Sequence, residues 1–151
     1  MSIQENKSEK RACSFFASDY HFEMISLPVI ERELEKEKEV VIFTENNLEK
    51  TVNTLLERVN LKEEKKEKIK NLNWKNDDVF KMEQIRKNQE NSLVVFIKGE
   101  EDYIQKIHQE MKSVSLPQNS EIIDCYDVNK MGTDLSEIAK NYGSILNTSS
   151  L

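Results

Sequence analysis

Val40-Val41-Ile42-Phe43 and Leu93-Val94-Val95-Phe96-Ile97 are uninterrupted apolar runs, each bounded by charged or turn-forming residues. Such runs are short for a buried helix and have no polar face to offer water. They suit strands covered on both sides, which belong to parallel sheets with crossover helices on the two faces. Ala12 to Ala17 and Ile122 to Asp127 read as two further strands. Between the strands, apolar residues recur at helical spacing. Phe22, Ile25, Leu27, Val29, Ile30 and Leu34 predict a first helix. Pro28 either kinks it or opens a second piece. Leu48, Val52, Leu55, Leu56 and Val59 predict a second, and Ile104, Ile107, Met111 and Val114 another. Leu135, Ile138, Ala139, Tyr142, Ile145 and Leu146 read as a final helix behind Asp134 and Glu137, which have capping-box spacing. Alternating strands and helices predict a three-layer, doubly wound α/β fold on a mostly parallel sheet of about four strands.

One segment departs from this alternation. Residues 61–91 are mostly charged and predict two helices, about 61–71 and 77–88, joined around Asn73 to Asn76 with Asp77 as a cap. This helical insertion reads as an arm, a lid or a homodimer interface. Trp74 within it is either an anchor onto the domain or a hot spot for a partner protein. Residues 1–10 read as a disordered lead-in, 11–147 as a single α/β domain, and 148–151 as a frayed end.

Charged residues make up 33% of the 151, and the net charge is −6. That field opposes nucleic acid and anionic membranes. The densest cationic stretch, Lys62, Lys65, Lys66, Lys68, Lys70 and Lys75, is interrupted by Glu63, Glu64 and Glu67. Pairing at i,i+3 and i,i+4 makes it a solvated helix face. No apolar run has the length of a membrane span. Cys13 and Cys125, the two cysteines, sit in strand-like runs and read as buried free thiols, so a cytoplasmic location is expected.

In a doubly wound sheet, ligands bind beyond the carboxyl ends of the strands. The residues carried there are Ser18, Asp19 and His21 after the first strand, and Thr44, Glu45 and Asn46 after the second. These six are the candidate ligand-binding set. Lys98 to Glu101 and Asp127 to Lys130 follow the third and fourth strands. With only Gly99, Gly132 and Gly143 in the chain, there is no P-loop and no GxGxxG phosphate cradle. Asp19, Glu45 and Asp127 are either helix-cap and first-turn charges or a magnesium set for a hydrolase or phosphatase. Ser14, Ser18 and His21 show no nucleophile elbow. His108 lies in a Lys/Gln/Glu stretch and reads as solvated. The histidines and cysteines have no zinc spacing. No cofactor, resident metal or catalytic residue is expected. A non-enzymatic module binding a small ligand or a protein partner is the functional expectation, with the magnesium enzyme as its alternative.

Ser14-Phe15-Phe16-Ala17-Ser18-Asp19, then Phe22, Pro28-Val29-Ile30, Leu34-Glu35 and Val40-Val41-Ile42, resembles the opening of MEDS-type sensory domains, which are similar to P-loop-less relatives of RecA-like and KaiC-like ATPases. The resemblance covers residues 13–48. The family usually has glycines before the second strand, where this chain has Glu35 to Glu39. The resemblance implies a RecA-like α/β sheet and a sensing or signalling role without catalysis.

Overall fold

The computed structural model describes residues 9–88 and 90–146. The elements, in chain order, are β1 (Glu9–Phe16), α1 (Asp19–Glu35), β2 (Glu39–Thr44), α2 (Glu49–Leu56), α3 (Glu63–Lys70), α4 (Asp78–Lys87), β3 (Leu93–Gly99), α5 (Glu101–Met111), β4 (Ser120–Asp127), a single 3-10 turn (Val128–Lys130), α6 (Leu135–Ala139) and β5 (Ser144–Leu146). The five strands form one parallel sheet in the order β2-β3-β4-β1-β5. Most of the expected lead-in, and all of the expected tail, lie outside the described residues. Glu9 and Lys10 already belong to β1.

Period-two alternation divides the apolar strand residues between two cores. Val40, Ile42, Val94, Phe96, Ile123 and Cys125 face a first layer built from α1, α2 and α3. Val41, Phe43, Val95, Ile97, Ile122 and Tyr126 face a second layer of α4, α5 and α6. This layering follows from handedness. A right-handed crossover places its helix on one face when it runs one way along the sheet and on the other face when it runs back. From β1 the chain travels past β4 and β3 to the β2 edge. Every later crossover travels the opposite way.

The connection between β2 and β3 occupies both layers. After α2 and α3 on the first face, the chain rounds the β2 edge and places α4 on the second. Trp74 pins the passage. It is 1% exposed, and its indole N–H donates to Ile69 O at 2.9 Å. Leu48 N donates to Trp74 O. Lys81 of α4, fully buried, donates to Ile42 O of the edge strand β2 and to Lys75 O of the loop before α4, which ties that loop to the strand. The insertion is therefore packed against the sheet rather than projecting as an arm, and Trp74 is an anchor with no surface left for a partner.

One alternative is decided, in favour of a single first helix, and one further reading is corrected. Asp19–Glu35 is one helix with Pro28 inside it. The final helix stops at Ala139, and residues 144–146 form β5, pairing with Ala12, Cys13 and Ser14 of β1. Without β5, one side of β1 would present unpaired backbone groups. Gly143 N–H bonds to Arg11 O at 3.3 Å and leads the chain into that ladder. Sheet pairing here outweighs a helical pattern that is weak after Ala139. Among the described residues no helix is long and apolar enough to cross a membrane.

Candidate functional site

The adjacent strands β1 and β4 send their crossovers in opposite directions, so the topological switch point lies between their carboxyl ends. The sequence-derived candidates gather around this edge, but they bond chiefly to one another. Ser18 Oγ accepts from His21 N at 3.1 Å and caps α1. His21 Nδ1 accepts from Ala17 N at 2.9 Å. Ala17 O accepts from Asn129 Nδ2 at 2.9 Å, which ties the ends of the two strands together. Thr44 is buried, and its hydroxyl donates to Asn46 O.

Lys98 joins Asp19 to Asn46. Its side chain is 5% exposed, its amine lies 2.9 Å from Asp19 Oδ1 and 3.1 Å from Asn46 Oδ1, and Asn46 Nδ2 donates to Asp19 Oδ2. Phe16 and Phe22 stack beneath the amine at 4.8 and 5.5 Å. Glu45 turns to β3 and accepts from Glu100 N at 2.9 Å. That approach depends on Gly99, where a Cβ would stand 2.5 Å from Glu45 Oε1. The proposed magnesium set does not assemble. Asp19 is paired with Lys98, Glu45 with Glu100 N, and Asp127 caps Asn129 N. Among the described residues no group of three or more His, Cys, Asp or Glu side chains could hold a metal ion. The edge is a latch holding β1, β2 and β3 together.

A second polar cluster lies on the other face. Asp124, in the middle of β4, is fully buried. His108 of α5 donates through Nε2 to its carboxylate, 2.9 Å from Oδ1 and 2.8 Å from Oδ2. Tyr142 Oη donates to Oδ2 at 2.5 Å, and Tyr126 Oη donates in turn to Tyr142 Oη at 2.6 Å. Arg11 of β1 approaches Oδ2 to 3.7 Å and lies over the Tyr142 ring. A carboxylate oxygen accepts, so the ring nitrogen facing it, Nε2, carries a proton, and the pairing fixes the orientation of the imidazole. Burial, and secondarily the Asp124 charge, push the Cys13 thiol up to about 11. Burial pushes the Tyr126 phenol up to about 12, and Tyr142 is pushed upward by burial and then by the Asp124 charge.

Above this network is a cleft of about 550 Å³, within the range of small-molecule sites. Arg11, Gln105, His108, Lys112, Asn141 and the two tyrosines supply its polar groups. Met111, Val114, Leu116 and Ile122 supply the apolar wall. None of these residues is in the sequence-derived set, and the expectation of a solvated His108 is wrong. The missed signal was Asp124 itself, a carboxylate within the otherwise apolar run Ile122 to Tyr126, since a charge is almost never fully buried without a partner.

No family model matches the chain, and neither a curated protein nor a solved structure matches it.

Proposed function

We propose that this chain is a non-enzymatic sensory or regulatory α/β module that binds a small ligand in the cleft between α5 and the segment leading into β5. The observation that carries this is the Asp124 network beneath the cleft, where buried bonds hold His108 and Tyr142 in place before any ligand arrives. His108 has no serine or cysteine bonded to it among the described residues, which favours binding over covalent turnover. The resemblance of residues 13–48 to MEDS-type sensory domains supports the same role. Nuclear magnetic resonance with a library of small metabolites tests it. Hits should shift the amides of Arg11, His108, Lys112 and Tyr142, and Tyr142→Phe should weaken them. A library whose hits all map to the Asp19–Lys98 latch would move the site back to the strand edge.

One observation favours a protein partner as well. Val79 and Phe80 on α4 are 81% and 62% exposed beside a broad hollow, and adjoining exposed apolar side chains mark interaction surfaces. Phe80→Glu should abolish such an interaction without lowering the melting temperature.

A further inference from the structure

We propose that the ligand of the cleft is a small organic anion, whose oxyanion group rests on Arg11 and Lys112 and whose apolar body lies along Met111, Val114 and Leu116. The inference rests on the cleft being the ligand site. Every charged or titratable side chain of its polar wall other than the tyrosines is a base: Arg11, His108 and Lys112. Among the described residues no carboxylate lines it. Asp124 lies below the surface with no exposure, and its oxygens are taken up by His108 and Tyr142. It fixes those groups and presents no face to a cation. The chain as a whole carries −6, so this wall reverses the sign of the molecule locally, which is what selects an anion from solution.

Arg11 has donors to spare. One of its nitrogens approaches the Asp124 carboxylate at 3.7 Å, and its side chain remains 44% exposed. A guanidinium has five N–H donors in a planar fork suited to carboxylate and phosphate. Lys112 is exposed, and its side-chain amine has no protein partner among the described residues.

Titration with four probes of one shape, benzoate, phenyl phosphate, benzamide and benzylamine, followed by amide shifts at the cleft, tests the proposal. At least one of the two anions should bind about tenfold or more tighter than the amide and the amine, the scale of one charge-assisted contact. Tighter binding of phenyl phosphate assigns a phosphate ligand, and tighter binding of benzoate a carboxylate. Lys112→Gln, at an exposed position, and Arg11→Gln should each weaken the anion several-fold, with Arg11→Lys retaining more than Arg11→Gln. Amide or amine binding at the cleft as tightly as the anions would overturn the anion assignment and leave the ligand site standing. So would anion binding indifferent to both glutamine variants. No cleft shift with any of the four probes would overturn the site along with the assignment.

Discussion

Replacing Asp124 with Asn tests whether the network beneath the cleft is built around a buried charge. The carboxylate accepts from His108 at 2.8 Å and from Tyr142 at 2.5 Å, with no exposure to water. Hydrogen bonds to a charged group are worth about 1.5–3 kcal/mol each, so the two sum to roughly 3–6 kcal/mol. The amide recovers part of this, because it is cheaper to bury than a charge and its oxygen keeps one bond. The expected net loss is about 2–4 kcal/mol, in line with removing one partner of a buried pair. With a urea slope of about 2 kcal/mol per molar, the unfolding midpoint should fall by roughly 1–2 M. Arg11→Gln is the control. Its contact with Asp124 is 3.7 Å long and its side chain is 44% exposed, so it should cost under about 1 kcal/mol. Tyr142→Phe closes a double-mutant cycle with Asp124→Asn, and a coupling above about 1 kcal/mol is expected for groups in direct contact. An Asp124→Asn midpoint no lower than that of Arg11→Gln, with no coupling to Tyr142, would refute the argument.

Three other substitutions or treatments have predictable outcomes. Burial pushes the Lys81 amine from 10.5 down to about 8, so between those values the unfolded chain holds a proton that the folded chain has released, and Lys81 adds stability as pH rises. The stability of the native protein relative to Lys81→Met should climb across that window in urea titrations, and a flat difference would contradict the assignment. Glu37, with φ 63°, follows α1 in a Schellman turn in which Lys38 N bonds to Glu33 O and Glu37 N to Leu34 O. Glu37→Gly should therefore raise stability by about 1 kcal/mol, and a loss in thermal unfolding would count against that turn. Burial pushes the thiols of Cys13 and Cys125 up to about 11 and 12, so neither should react with an aromatic disulfide at neutral pH until urea unfolds the chain.

The sheet was legible because its strands carry their burial in composition. Val40 to Phe43 and Leu93 to Ile97 have no polar side to turn to water, and both are strands buried on both faces. β5 was not legible. Three residues are too few for a periodicity to declare itself, and Ser144, Ile145 and Leu146 are strand only because β1 offers them a ladder. The strand-edge candidates were correctly placed near one another for the reason that placed the strands: parallel β-strands deliver their carboxyl ends to one side. What those residues do there was not legible. Lys98 falls at the last turn of the alternation that faces Phe96 toward the first layer, and only the finished fold brings its amine to Asp19 and satisfies the edge from within.

The cleft was closer to the surface of the sequence than its omission suggests. Ile104, Ile107, His108 and Met111 stand at the spacing of one helical stripe, so His108 shares the buried side of α5. Ile122, Asp124 and Tyr126 alternate along β4 and share one face of the sheet. α5 connects β3 to β4, and a right-handed crossover lays its helix over the strands it joins. Those three rules together place a buried imidazole above a buried carboxylate. They fail to supply Arg11 and Tyr142. Arg11 reaches the site along β1, which neighbours β4 only through a long-range pairing, and Tyr142 reaches it through the turn that a helical reading of residues 135–146 erased. The half of the site governed by local connectivity could be read, and the half governed by strand order could not.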